Sequence, residues 1–332
     1  MSSWAAPKQL ASRGILGMNR RNLSYIGRYN DRRNYPLVDD KLKTKLIAVE
    51  AGLHVPDLLH VVRTQHEIEL IEPLLWQWPA FVIKPAQGSG GKGILVIESS
   101  SADRFVKSSG GVLSLNDVKR HLTNVISGLH SLGGRTDVAI IEALVRVNPL
   151  FDQVSYEGVP DIRLIVFHGY PVMGMLRLAT KSSDGKANLH QGAIGVGLDI
   201  GSGRAISAVQ NEQIVTRHPD TGADLTRISV PNWEDLLLLA ARCYEVTRLG
   251  YLGCDIVLDE HHGPLVLELN ARPGLSIQIA NDEGLVPRLE QIEALKTWST
   301  SAEERVEYSM REFARLEGLG QAELWNEPAD SV

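Results

Sequence analysis

The stretch CDIVLDEHHGPLVLELNARPGL, residues 254–275, decides how this chain reads. It predicts two strands, Cys254–Asp259 and Leu265–Asn270, joined by a Gly-Pro turn. Side chains alternate across a strand, so Glu268 and Asn270 share one face and Leu267 and Leu269 the other. A register that sets Asp255 opposite Asn270 gives an apolar face of Ile256, Leu258, Leu265, Leu267 and Leu269. The opposite face then carries Asp255, Glu268 and Asn270 at its open end. Two carboxylates and an amide carbonyl are hard donors on a rigid sheet. They suit Mg²⁺, which takes a few protein oxygens and leaves its other positions to water and substrate phosphates. The polar margin of an ordinary strand pair has the same letters, so the rest of the chain has to decide.

Working outward, the loop before Ile94 carries the second signal. Ala80–Pro85 predicts a short apolar strand with Lys84 inside it, a lysine that must be paired or ligand-facing if buried. AQGSGGKG follows, then a strand at Ile94–Glu98. The spacing of Gly88, Gly90 and Gly93 matches a dinucleotide fingerprint in letters only, because that motif needs a helix where a strand follows here. Lys92 is followed by Gly93, so the loop is not a Walker A motif either. A strand–glycine loop–strand hairpin is the geometry of a flap that closes over a triphosphate. Glycines bring backbone N–H groups close to the anion, and Lys84 and Lys92 add charge. A flexible surface turn is the plainer alternative.

Other elements follow from local signals. Asp40 predicts an N-cap for a helix over Lys41–Ala51, with Leu42, Leu46 and Val49 inward. Thr64-x-x-Glu67 and Ser114-x-x-Asp117 are capping boxes. Val138–Ile141, Asp161–His168, Val172–Thr180, Ile194–Ile200 and Ala205–Val209 read as strands, with Asp161 and Arg163 on one and Arg177 on another. Lys181–Gly192 is a polar loop. Trp233–Leu249 is the clearest helix, with Asn232 and Asp235 as caps, and Ala302–Leu316 is the last. The acidic end, Glu323–Val332, predicts a frayed tail. Arg13, Arg20, Arg21, Arg28, Arg32 and Arg33 make residues 1–37 basic, either as a solvated face or as an arm facing an anionic substrate. Interleaved apolar residues predict that this segment packs.

The chain is 43% hydrophobic and 22% charged, as a soluble globular protein is. Its net charge of −6 lends no support to a nucleic-acid partner. Cys243 and Cys254 are its two cysteines, too few for a zinc or disulfide framework, and read as buried thiols of a reducing compartment. No apolar run is long enough to span a membrane. The cytoplasm is the expected location.

DDKLKTK at 39–45, VIKPAQGSGGKG at 82–93, IIEALV at 140–145, DIR at 161–163, NLHQG at 188–192 and CDIVLD…LVLELNARPG at 254–274 stand in the order of the ATP-grasp superfamily. From about residue 38 to 295 the chain resembles that superfamily. Within it the chain is most similar to the RimK-type group and to alpha-L-glutamate ligase-like, sugar-transfer-associated members. The resemblance implies an α+β fold of two lobes with ATP in the cleft between antiparallel sheets. It divides the chain into a basic segment 1–37, an N-terminal lobe 38–138, a C-terminal lobe 139–298, and a terminal helix and tail 299–332. It implies that Lys41 and Lys84 contact phosphates and that Gly88, Ser89, Gly90, Gly91, Lys92 and Gly93 form the mobile loop. Glu142, Ala143, Leu144 and Val145 would be the hinge holding adenine. Asp255, Glu268 and Asn270 would hold one or two Mg²⁺, or Mn²⁺. Arg163, Arg177 and Asn188 would line the acyl-phosphate side, Arg272 would face the substrate carboxylate or transferred phosphate, and His190 is either substrate-facing or solvated.

The implied activity is ATP-dependent joining of a carboxylate to an amine, with a kinase, a carboxylate–thiol ligase or a silent nucleotide-binding scaffold as the alternatives. Members usually carry an α/β domain ahead of the first motif. Its shortness here suggests a partner protein or a homo-oligomer that supplies the missing surface.

Overall fold

The computed structural model describes residues 7–315 apart from 89, 102, 103 and 152. Ser89, the tail at 323–332 and the end of the last expected helix lie outside the described residues. The elements form two antiparallel sheets. The first contains β1 (Leu58–Val62), β2 (Phe81–Pro85), β3 (Leu95–Ser101), β4 (Arg104–Lys107), β5 (Val112–Leu113) and β6 (Ala139–Ala143), in the order β1-β6-β2-β3-β4-β5. The second contains β7 (Asp161–Phe167), β8 (Tyr170–Leu178), β9 (Ile194–Leu198), β10 (Ala205–Gln210), β11 (Gln213–Ile214), β12 (Tyr251–Asp259) and β13 (Gly263–Asn270), in the order β11-β10-β9-β8-β7-β12-β13. The architecture is α+β, as the sequence implied.

Each sheet has its own core. Phe81, Ile83, Ile97 and Phe105 of the first sheet pack on Val118, Leu122 and Val125 of the helix Leu115–Ile126. The second core gathers Leu164, Val166, Leu176, Cys254 and Ile256 with Leu236, Ala240 and Cys243 of the helix Trp233–Thr247. The interior strands β8 and β12 are buried along nearly their whole length, as strands covered on both faces are. Both cysteines are buried free thiols, and burial raises that of Cys254. Among the described residues no helix is long and apolar enough to cross a membrane.

Two expected boundaries move. The strand β6 inserts between β1 and β2, so the first sheet keeps the chain until Ala143 and not only to residue 138. The basic N-terminal segment belongs to the second sheet: Asn30 exchanges side-chain hydrogen bonds of 2.8 Å with the backbone of Tyr251 at both N and O, and Tyr25 packs edge-on against Phe167. Three of its arginines pair with protein acids, and Arg21 donates to the Pro273 carbonyl at 2.8 Å. Arg20 meets Glu290 at 2.6 Å, Arg28 meets Glu293 at 3.4 Å, and Arg33 meets Asp31.

Several local expectations are corrected by tertiary context. Asp40 caps the helix Lys41–Glu50 through Leu42 N and Lys43 N, but Leu46 and Val49 are exposed and Thr44, Lys45 and Ala48 are buried. The helix turns its lysine-bearing face inward, because that face has a buried carboxylate to meet. Asn232 makes no side-chain cap for Trp233–Thr247, since its left-handed backbone (φ 53°) takes the amide away from the first turn. That helix ends on Arg248 in the left-handed region, before Gly250.

Candidate active site

The hairpin β12–β13 is longer than expected, and its register is different. Asp255 pairs with Glu268, and Asn270 pairs with Gly253. The ladder shifts between Asp255 and Ile256, where Leu267 is the extra residue of a bulge. A bulge carries later residues to the other face. The core face is therefore Cys254, Ile256, Leu258, Val266 and Leu269, while Leu265 shares the side of Asp255 and Glu268. The turn falls at residues 260–262, ahead of the Gly-Pro pair, because the Asp259 carboxylate accepts the backbone N–H groups of His261 and His262. The expected cluster survives these changes: Asp255 and Glu268 face each other directly, and Asn270 lies two residues further along the same side.

Asp255 is 3% exposed and carries two arginines. Arg163 donates to it twice, from Nε at 2.7 Å and Nη2 at 2.5 Å, and Arg177 donates from Nη2 at 2.8 Å. Arg177 also grips Asp161 through Nε and, at 2.7 Å, through Nη2. β7 lies between β8 and β12, so register sets Arg163 beside Asp255 and Asp161 beside Arg177. Burial opposes ionisation of Asp255, but Arg177 and Arg163 outweigh it and hold the carboxyl below its usual range. Burial pushes Asp161 up to about 6 against the pull of Arg177.

Across the crevice, Lys41 reaches Glu268 at 3.0 Å and donates to the Gly88 carbonyl at 2.8 Å. One ammonium thus joins the helix Lys41–Glu50, the glycine loop and β13. Deeper in, Glu142 is 3% exposed and pairs with Lys84 and, at 3.1 Å, with Lys45. Lys45 also donates to the Pro56 carbonyl. Lys41, Lys45, Lys84, Glu142 and Glu268 line one crevice between the sheets. After Ala143 the chain crosses to the other sheet: Arg146 N donates to the Asp259 carboxylate at 2.8 Å, and Asn148 N donates to Leu258 O at 3.0 Å. The segment expected as a hinge, 142–145, is the start of that crossing.

The glycine loop is fixed at both ends. Gly88 bridges to Ser131, and the Gly93 carbonyl lies 3.0 Å from His121 Nε2. Gly90, Gly91 and Lys92 are exposed between these points. Three expected residues stand apart from the charge network. Asn188 spends its Oδ1 on capping the turn Leu189–Gln191, and His190 is exposed. Arg272 lies 3.4 Å from Asp39 with its guanidinium over the Tyr35 ring.

Two participants were absent from the expected set, and each had a spacing signal. Lys45 stands four residues after Lys41 on one helix face, and Asp161 stands two before Arg163 on one strand face. A wider cleft lies beside the hairpin turn, lined by His54, Asp235, Arg242 and His261, and holds none of the expected site residues.

The donor set fits Mg²⁺. Two carboxylates at paired positions and an amide carbonyl two residues on offer hard oxygens on one side of the hairpin.

The chain is 24% identical over 239 residues to a curated protein of Maridesulfovibrio salexigens named probable alpha-L-glutamate ligase. The match covers 71% of this chain and 56% of that one, so the chain spans little more than half the length of that relative. Among solved structures, it is similar to the ATP-grasp ligase PsnB complexed with minimal precursor, at 14% identity and a TM-score of 0.43 over 80% of this chain and 63% of that one. It is also similar to the D-alanine–D-alanine ligase of Bacillus anthracis complexed with ATP, at 12% identity and a TM-score of 0.45 over 91% and 75%. The family model described as sugar-transfer associated ATP-grasp matches residues 20–294, a span that takes in both sheets and the crossing between them. The chain belongs to the sugar-transfer associated ATP-grasp family.

Proposed function

We propose that the chain is an ATP-dependent carboxylate–amine ligase that works through an acyl phosphate. The observation that carries this reading is Lys41, whose ammonium ties the carboxylate face of β13 to the glycine loop across the crevice. Five side-chain cations, Lys41, Lys45, Lys84, Arg163 and Arg177, meet four carboxylates there, Glu142, Asp161, Asp255 and Glu268. The carboxylates are already neutralised by protein cations. A divalent ion adds charge that an incoming polyanion balances, so nucleotide triphosphate and metal strengthen each other's binding.

Asp255, Glu268 and Asn270 would hold one or two Mg²⁺, with Mn²⁺ as a substitute. When bound, the ion offsets the phosphate charge. The crossing at Glu142, Ala143, Leu144 and Val145 would hold adenine, Lys41 and Lys84 the phosphates, and Gly88–Gly93 would cover them. A substrate carboxylate oxygen attacks the γ-phosphorus and ADP leaves. The amine nitrogen then attacks the acyl carbon, inorganic phosphate leaves, and the amine gives up a proton. Arg163 and Arg177 spread the phosphoryl charge, and Arg272 faces the substrate. Closure of the glycine loop keeps water from the acyl phosphate. The name of the curated relative supports glutamate as the amino acid joined.

The test is ADP release from Mg-ATP over a panel of carboxylates with hydroxylamine as the amine. Hydroxamate formed with one acid supports the reading. ADP without hydroxamate from any acid overturns it in favour of a kinase or an uncoupled ATPase.

A further inference from the structure

The two arginines on Asp255 are not equivalent. Arg163 spends both of its donors on Asp255, and among the described residues Asp255 is the only acid it hydrogen-bonds. Arg177 makes one bond to Asp255 and two to Asp161. Together the arginines occupy both oxygens of Asp255: Arg163 is on Oδ1, and both are on Oδ2. A carboxylate has about four lone-pair positions, and three are taken here. A cation that binds Asp255 directly has to compete for those oxygens, and it repels both guanidinium groups at short range.

We infer that Asp255 exchanges partners when a divalent cation binds, that Arg163 is the arginine released, and that Asp161 is a positioning residue that keeps Arg177 in place. This rests on the ligase reading in one respect, that Asp255 is the residue that takes the metal. On losing Asp255, Arg177 keeps two hydrogen bonds and a full counter-charge. Arg163 keeps neither, and a nearly buried guanidinium without an acid has to find another anion. The groups that would offer one are the transferred phosphoryl group and the substrate carboxylate. Metal arrival and arginine delivery thereby become one event, and the free enzyme holds Asp255 closed to stray cations.

The experiment measures Mn²⁺ binding to the nucleotide-free full chain by the electron paramagnetic resonance signal of free Mn²⁺. Parent, Arg163→Gln, Arg163→Lys, Asp161→Asn and Asp255→Asn are compared, each checked for a cooperative melt. Removal of the competing charge in Arg163→Gln is expected to tighten Mn²⁺ by about tenfold or more, the scale of changes beside metal ligands. Arg163→Lys, which keeps the charge and loses the fork, should fall between, and it carries the test if the glutamine variant does not fold. Asp161→Asn should weaken Mn²⁺, because Arg177 then rests on Asp255 alone.

Phenylglyoxal labelling with peptide mass mapping reads the arginines directly. At Mn²⁺ levels that fill the site, Arg163 should be labelled and Arg177 protected, and in Asp161→Asn both should be labelled. If Asp255→Asn leaves Mn²⁺ binding intact, the metal reading itself fails. If Asp255→Asn abolishes binding while Arg163→Gln leaves it unchanged or weaker, the partner exchange is overturned and the metal reading stands. Equal labelling of the two arginines in the loaded parent overturns the role of Asp161.

Discussion

Lys45 and Glu142 form an ion pair of 3.1 Å in which both side chains are more than nine-tenths buried. Lys84 meets the other oxygen of the same carboxylate. One acid therefore supports two buried ammonium groups, and burial already draws the Lys45 pKa down. Glu142→Gln strands both cations and should cost about 3–5 kcal/mol, the usual penalty for breaking a buried pair. Lys45→Met leaves Lys84 and Glu142 matched and should cost clearly less. Urea unfolding of the two variants checks the order. A Lys45→Met chain as unstable as Glu142→Gln would show that Glu142 is not the common counter-charge.

Lys41 separates stability from turnover. It is only partly buried, and its partner Glu268 is more exposed still, so their pair should contribute no more than about 1 kcal/mol. As a charge partner for the transferred phosphate it should matter by about 10²–10³ in rate. Lys41→Met is expected to melt near the parent and to lose most of its ADP release. A variant that keeps full turnover would remove Lys41 from the phosphate set.

The glycine loop predicts a position-dependent response to alanine. At Gly93, with φ +78°, an added Cβ would lie 2.6 Å from the His130 ring. At Gly91, with φ +74°, it would meet nothing within 4 Å. Both replacements carry the left-handed cost of about 1–2 kcal/mol. Gly93→Ala adds an overpacking penalty of about 1–3 kcal/mol. Thermal melts should therefore rank Gly93→Ala below Gly91→Ala, and equal melts would show that the loop is free at both points.

What the sequence disclosed was local. Asp40, Thr64 and Ser114 announce helix starts because capping needs only a side chain and the next three N–H groups, and all three cap as expected. Strand alternation put Asp255 and Glu268 on a common side, and the ordered motifs named the family. The face of the helix Lys41–Glu50 was misjudged because apolar spacing assumes that the core lies inward, and here the inward surface is a charged crevice. The bulge at Leu267 left no local mark, since it is set by the pairing of β12 and β13. The union of Arg163 with Asp255 was equally hidden, because it needs β12 beside β7, and strand order in a sheet is a long-range choice.

His168 should make the fold sensitive to acid. It sits at a tight turn, stacked on Trp298 at 3.6 Å and met edge-on by Tyr29, and neither ring nitrogen has a hydrogen-bond partner among the described residues. Burial, helped by the nearby positive charge of Arg28, lowers its pKa from 6.5 to about 4. The sign follows from which state takes the proton. Between pH 6.5 and 4 the unfolded chain protonates this histidine and the folded chain does not. The stability is therefore present in full above about pH 6.5 and is lost as pH falls towards 4. At pH 5 the loss should be about 2 kcal/mol. His168→Asn removes the titration and suits the left-handed backbone of the turn (φ 50°). Urea unfolding at pH 7.5 and pH 5 should show the parent losing about 2 kcal/mol more than the variant between the two conditions. The comparison cancels other groups that titrate in both chains, and an equal loss in both would mean that His168 takes its proton in the folded state as readily as in the unfolded one.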